Sequence, residues 1–230
     1  MLRTMIKELF EFDNNHKNET VQFVIGTDEA GRGPGAGPVF AAAVAFTKYD
    51  DNLMEKLSAL NDSKQISEKT REMLFDVIVE ARLCEVCVYS IHQAGVEEIE
   101  QKNILNASLD TMKLACIDVA KQLKTTKVKI LIDGNKRIKN FQANMEPIVK
   151  GDSKSAAIAA ASILAKVSRD RFMAELDSEF PQYGWAKNKG YLSPQHIEAI
   201  EKHGITKWHR KKFLRNILEN QNKVQQLSLI

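Results

Sequence analysis

A chain of 230 residues that is 43% hydrophobic and carries 33 basic against 30 acidic side chains has the material for one ordinary core and no large excess of charge. No apolar run reaches the roughly 18 residues of a membrane span, and the N-terminus lacks the basic, apolar, small-residue order of a secretion signal, so a cytoplasmic location is expected. Three cysteines, Cys84, Cys87 and Cys116, agree with a reducing compartment.

Leu2, Met5, Ile6, Leu9 and Phe10 recur at helical spacing and predict a short amphipathic helix ending near the polar stretch from Asp13 to Asn18, an appendage over 1–20. Two apolar runs, Phe23 to Thr27 and Val39 to Phe46, flank a glycine-rich turn and read as paired strands. Glu68 to Arg82 reads as a helix and Leu83 to Tyr89 as a strand. In such a strand Cys84 and Cys87 point to opposite faces, which excludes a shared metal or a disulfide. Asn103 to Lys121 reads as a second long helix and Val128 to Ile132 as a β-branched strand running into Asp133. Ser155 to Phe172 reads as a helix whose first half, Ala156 to Ala161, is apolar nearly all round and small enough to pack closely on a sheet. Beyond Phe180 the pattern is a helical extension. It concentrates basic charge, with Lys187, Lys189, Lys202, Lys207, Arg210, Lys211, Lys212 and Arg215 against Glu198 and Glu201. That local net of +6 leaves the rest of the chain, whose total is +3, at −3. A carboxylate-rich body with one basic segment suits a metal-dependent enzyme acting on nucleic acid, and on charge alone a solvated helical surface fits as well. The element order predicts an α/β sheet with some antiparallel pairing.

The densest chemistry lies in Gly26-Thr27-Asp28-Glu29-Ala30-Gly31-Arg32-Gly33-Pro34, where an apolar run ends in two adjacent carboxylates and a glycine-arginine-glycine turn. Adjacent carboxylates repel, and a divalent cation relieves them. Asp133 ends a second strand, and Asp152 follows in Lys150-Gly151-Asp152-Ser153. Neighbouring strand ends converge at one sheet edge, so Asp28 and Asp133 make half a metal site. Glu29 faces away in an ideal strand and joins them only if the chain bends there, which Gly31 and Gly33 allow. Hard oxygen donors without nearby histidine or cysteine select Mg2+ or Mn2+ over zinc. Each acid also has a bland reading: Asp152 as the cap of the helix that follows, Asp133 in a turn with Gly134, and Asp28 with Glu29 as solvated loop acids. The glycines fit neither a dinucleotide fingerprint nor a P-loop.

At this point the residues resemble the ribonuclease HII family, the type 2 ribonucleases H of bacteria. The likeness runs from about Val24 to Phe213. It rests on Asp-Glu-Ala-Gly-Arg-Gly-Pro from Asp28, Asn61-Asp62-Ser63-Lys64, Asp133-Gly134-Asn135, Lys150-Gly151-Asp152-Ser153, Ala160 to Val167, Arg169-Asp170, Lys189-Gly190-Tyr191 and His209-Arg210. The resemblance implies a ribonuclease H-like mixed sheet flanked by helices, with a helical C-terminal extension. It implies cleavage of RNA in RNA/DNA hybrids and incision on the 5′ side of single ribonucleotides in duplex DNA. Its acidic quartet falls on Asp28, Glu29, Asp133 and Asp152, its junction-sensing turn on Gly31, Arg32 and Gly33, and its sugar-packing tyrosine on Tyr191. Lys64 and Ser153 fit phosphate contacts. Only the 2′-hydroxyl marks a ribonucleotide, and a glycine backbone approaches it where a Cβ would collide. Gly35, Asn188 and Lys212 stand where the family commonly has leucine, histidine and serine. The glycine-arginine-glycine turn and an aspartate at 152 set the chain apart from type 3 relatives.

The expected organisation is an appendage over 1–20, a catalytic domain over 21–180, a basic helical substrate-binding extension over 181–218 and a flexible tail over 219–230. The last five residues, Gln226-Leu227-Ser228-Leu229-Ile230, resemble the pentapeptide by which bacterial repair proteins dock on the sliding clamp, and an apolar tail folding back on the body is the other reading. Nothing demands a dimer, and a monomer is expected. Two rivals stand beside the enzyme: a metal nuclease of different structure specificity, and a clamp adaptor without catalysis, for which four acids would be a liability on the path of a polyanion.

Overall fold

Five apolar runs become strands: β1 (Phe23–Ala30), β2 (Val39–Phe46), β3 (Cys87–Ala94), β4 (Val128–Asp133) and β5 (Met145–Ile148), joined in one sheet of order β3-β2-β1-β4-β5. The computed structural model describes residues 2–60 and 66–219, with side chains from Met5 onward. β1 pairs antiparallel with β2 and parallel with β4, and β4 pairs parallel with β5, so the sheet is mixed as expected. The helices are α1 (Leu2–Asn14), α2 (Asp51–Lys56), α3 (Glu68–Leu83), α4 (Val96–Lys102), α5 (Ile104–Leu123), α6 (Ala156–Glu179), α7 (Trp185–Asn188) and α8 (Pro194–His203). Among the described residues no helix is long and apolar enough to cross a membrane.

The described residues fall into two compact units, one drawn from 2–30, 40–60, 66–93 and 108–167, the other from 31–39, 94–107 and 168–219. In the first unit, strand alternation puts Val24, Gly26 and Asp28 on one face of β1 and Ile25, Thr27 and Glu29 on the other. The first half of α6 covers the Gly26 face. Val24, Leu131, Ile148 and Ile158 form one apolar cluster there, and a Cβ at Gly26 would stand 2.2 Å from the Ile158 backbone nitrogen. A glycine on the strand and the alanine run on the helix are thus what let the two backbones touch. α5 takes the opposite face, where Cys116 and Thr27 share a hydrogen bond.

α1 is a core helix, which corrects the expected appendage over 1–20. Ile6, Leu9 and Phe10 are buried in the same cluster as Leu53, Leu74, Ile78 and Ala160, and the Phe10 ring stacks 4.5 Å from that of Tyr49. Near its C-terminus Asp13 accepts hydrogen bonds from the Ser155 hydroxyl and, at 2.9 Å, from the Ala157 amide, while Ser155 Oγ accepts from the Ile158 amide at 3.1 Å. These two side chains cap α6. Burial pushes the Asp13 carboxyl up to about 6.

Other boundaries also differ from expectation. α3 runs to Leu83, which is 79% exposed, and Glu85 then turns the chain with φ 57°, so the strand starts at Cys87 rather than Leu83. Cys84 is therefore the exposed residue that ends α3 and only Cys87, which is buried, lies in the strand, so the expected placement of both in one strand is corrected. The helix expected from Asn103 is preceded by α4, the break falling at Asn103 with φ 67°.

In the second unit, Met173 and Leu176 of α6 pack with Tyr183, Trp185, Ile200 and Leu214. This cluster explains why α6 continues to Glu179, past the Phe172 end expected from the sequence.

Candidate active site

Asp28 lies in β1 and Asp133 ends β4, the two strands being parallel neighbours whose last paired residues, Thr27 and Ile132, stand one step before these acids. The shared register turns both carboxylates to the α6 face. There Asp28 is 7% exposed and accepts hydrogen bonds from the Ser162 side chain of α6 and, at 2.7 Å, from the Glu29 amide. Burial, then the charge of Glu29, then that of Asp133 hold its carboxyl well above the usual carboxylate range. The reading of Asp28 as a solvated loop acid is thereby corrected. β1 also runs on through Ala30, with Glu29 opposite Ala41, so the bend expected at Glu29 does not occur before the glycine turn.

Asp152 sits in the 3-10 turn Gly151–Ser153 that follows β5. The turn is tied to Asp133, whose Oδ1 accepts from the Gly151 amide at 2.8 Å, and a Cβ at Gly151 would come within 3.2 Å of that oxygen. Asp13 and Ser155 accept from the Ala157 and Ile158 amides, so these two side chains supply caps for the first turn of α6. Ser153 is exposed and donates its hydroxyl to the Lys150 carbonyl at 2.9 Å. Two couplings, Asp28 with Glu29 and Asp28 with Asp133, are what the structure provides toward a cation. Among the described residues no three histidine, cysteine or carboxylate side chains are gathered into a preformed chelate. The donor set is all carboxylate oxygen, and the raised Asp28 marks negative charge that a hard divalent ion would relieve.

The second unit holds the glycine turn. Gly31 has φ +101°, and a Cβ there would lie 2.1 Å from Arg169 Nε, so only glycine fits. Arg210 is fully buried and donates to four carbonyls of the turn: Gly31 at 2.7 Å, Arg32 at 3.2 Å, Pro34 at 2.9 Å and Gly37 at 2.9 Å. Arg169, 1% exposed, donates to the carbonyls of Ala36, Pro38 and Lys189 at 3.2, 3.1 and 3.0 Å. Burial lowers Arg169 to about 10 and Arg210 to about 9, so both stay charged at neutral pH. Arg210 is therefore a brace inside the protein and leaves the surface basic segment read from the sequence. The Tyr191 ring is 52% exposed and abuts Gly33, where a Cβ would be 3.3 Å from Cε1. Gly35 is held equally close, since a Cβ there would collide with Leu192 at 2.6 Å. Asn188 donates to the Tyr183 carbonyl at 2.7 Å and accepts from the Gly190 amide at 2.8 Å, shaping the turn before Tyr191.

Lys64 and the tail residues Gln226, Leu227, Leu229 and Ile230 lie outside the described residues. Four supports escaped the residue-level reading: Ser162, the Gly151 amide, Arg169 and Arg210. All sit inside stretches that carried the family resemblance, and that was the signal available for them.

The chain matches the ribonuclease HII family over residues 25–217. It is 47% identical over 223 residues to a ribonuclease HII of Fusobacterium nucleatum subsp. nucleatum, covering 96% of this chain and 97% of the relative. A ribonuclease HII of Endomicrobium trichonymphae is 46% identical over 209 residues, 91% of this chain and 93% of the relative. Among solved structures, the ribonuclease H2 of Pyrococcus horikoshii OT3 superposes with a TM-score of 0.67 at 27% identity, covering 87% of this chain and 99% of that one. A family match across most of the sequence, relatives near half identical and a shared fold establish that the chain belongs to the ribonuclease HII family, whose members are type 2 ribonuclease H endonucleases.

Proposed function

We propose that this ribonuclease H cleaves the RNA strand of RNA/DNA hybrids and incises duplex DNA on the 5′ side of single embedded ribonucleotides, leaving 3′-hydroxyl and 5′-phosphate ends. Its place is in ribonucleotide removal during DNA replication and repair, in the cytoplasm, as a monomer. The observation that carries the reading is the meeting of Asp28 and Asp133 at adjacent parallel strand ends, with Asp28 buried against two further negative charges.

Asp28 and Asp133 would be the primary ligands of two Mg2+ or Mn2+ ions, Glu29, whose charge already acts on Asp28, would complete the set once the end of β1 turns toward the ions, and Asp152 would act from the turn fixed to Asp133. When bound, the ions supply an activated water and stabilise charge on the leaving oxygen, as pairs roughly 4 Å apart do in phosphodiester hydrolysis. Ser162 orients the Asp28 carboxylate by hydrogen bonding to it, and the Gly151 amide does the same for Asp133. Gly31, Arg32 and Gly33 offer backbone to the 2′-hydroxyl, and Tyr191 packs its exposed ring on the sugar that follows, where a second hydroxyl is absent. Ser153 and Lys64 contact the phosphates.

The test is an end-labelled DNA duplex with one ribonucleotide, incubated with Mg2+ or Mn2+ beside an all-DNA control. One cut on the 5′ side of the ribonucleotide, lost on chelation and absent from the control, is expected. Cleavage of the control, or a cut elsewhere, contradicts the reading.

A further inference from the structure

Beneath Tyr191 lies a group of buried rings to which the catalytic reading gives no role. His196 is fully buried in the first turn of α8, and His209, 2% exposed, precedes Arg210. Trp185, fully buried, lies beside both, its ring centroid 5.3 Å from that of His209.

The hydrogen bonds fix where each proton sits. The Thr206 amide donates to His209 Nδ1 at 2.9 Å, so a neutral His209 carries its proton on Nε2. That nitrogen faces His196 Nε2 at 3.2 Å, which also receives the Trp185 indole N–H at 3.0 Å. With two donors aimed at its Nε2, His196 holds its proton on Nδ1 and donates it to the Tyr191 carbonyl at 2.9 Å. The chain of bonds runs one way, from Thr206 and Trp185 to the backbone of Tyr191, and closes only if both imidazoles are uncharged. Burial keeps them so, pushing His209 down to about 4 and His196 below its usual value.

The backbone around His209 meets the glycine turn as well. Ala36 and His209 form a β-bridge, the Gly37 amide donates to the Trp208 carbonyl at 2.9 Å, and the Arg210 amide donates to the Gly35 carbonyl at 2.8 Å. One short segment, 208–210, therefore grips the turn through its backbone and supports Tyr191 through the His209 side chain.

We propose that His196 and His209 are positioning residues for ribonucleotide recognition, a neutral strut that sets the Tyr191 ring at a fixed spacing from Gly33. The inference rests on the reading of Tyr191 and Gly33 given above. A strut of this kind matters where a deoxyribose must be told from a ribose and matters little for a continuous hybrid, in which the sugar after the cut is a ribose.

The experiment compares steady-state KM and kcat on a single-ribonucleotide duplex and on a continuous RNA/DNA hybrid for the full chain and for His196→Leu, His196→Asn and Tyr191→Ala. His196→Leu is expected to raise KM about tenfold on the first substrate, the scale of one lost hydrogen bond, and to leave the second within about twofold. His196→Asn, whose Nδ2 replaces the imidazole donor, is expected to stay within about threefold of the native enzyme. If a folded His196→Leu keeps the native ratio of the two substrates, or loses both equally, the strut is overturned. If Tyr191→Ala keeps the native ratio, the reading of Tyr191 falls and the strut with it. Collapse of the ratio in Tyr191→Ala but not in His196→Leu removes the strut alone. The imidazole nitrogen spectrum of the native protein decides independently of whether the variants fold: protons on His196 Nδ1 and His209 Nε2 support the strut, and the reverse tautomers or a charged ring overturn it.

Discussion

The strand ends that carry Asp28 and Asp133 and the glycine turn that follows Asp28 in the chain solve opposite electrostatic problems. At the strand ends a buried carboxylate faces two like charges, and its raised proton affinity records the mismatch. At the turn, two buried guanidiniums meet six of its backbone carbonyls and that of Lys189 and are satisfied within the protein. One region concentrates like charge, which the proposed cations would relieve, while the other uses its charge to hold a backbone in a single shape. Substitutions in the first should therefore change rate more than stability, and in the second, stability and selectivity.

The largest expected effect is at Asp133. Asp133→Asn should lower hydrolysis of both substrates by about 10³-fold or more, with hybrid affinity by gel shift nearly unchanged. Substantial residual turnover would mean that the catalytic centre lies elsewhere. Next comes Arg210→Leu, which strands four buried carbonyls and should cost about 3 kcal/mol in urea unfolding, with Arg210→Lys recovering only part because an ammonium lacks the planar fork. A loss near zero would show that the turn holds its shape without the brace.

Asp28 gives an effect of opposite sign. Its carboxyl titrates well above 3.8 in the folded protein and near 3.8 in the unfolded chain, so folding retains a proton across that window and stability falls as pH rises through it. Asp28→Asn should be more stable than the native protein in chelator at neutral pH, by about 1 kcal/mol, and have no advantage well below pH 3.8. Added Mn2+ should raise the melting temperature of the native protein and narrow this difference. A destabilised Asp28→Asn would contradict the unmet-charge account. The smallest effect tests the likeness of the tail to a clamp-docking peptide: if Gln226 to Ile230 dock on the clamp, their removal should abolish clamp capture in a pull-down and leave hydrolysis within about twofold. Unchanged capture would assign those residues another role.

What the sequence made legible was local. Asp28 and Asp133 stood out because each ends an apolar run, and the alanine run of α6 announced a helix in backbone contact with a sheet, which Gly26 accepts. What stayed hidden depends on long-range partners. Arg210 reaches Gly31 across 179 positions and Asp13 reaches Ala157 across 144, and neither pairing leaves a periodic trace. Residue type alone pointed Arg210 to the surface and α1 to the periphery. β5 was missed because four residues, one of them Pro147, show no alternation, yet it leads directly into the turn that carries Asp152. The break between α4 and α5 at Asn103 lacks the proline or glycine that would have marked it.

The most direct test of the division between the two regions places Asp133→Asn and Tyr191→Ala side by side on a single-ribonucleotide duplex and a continuous RNA/DNA hybrid. Asp133→Asn is expected to lose both cleavages, whereas Tyr191→Ala is expected to lose the first and keep the second. Equal losses on both substrates for Tyr191→Ala, or selective loss for Asp133→Asn, would contradict it.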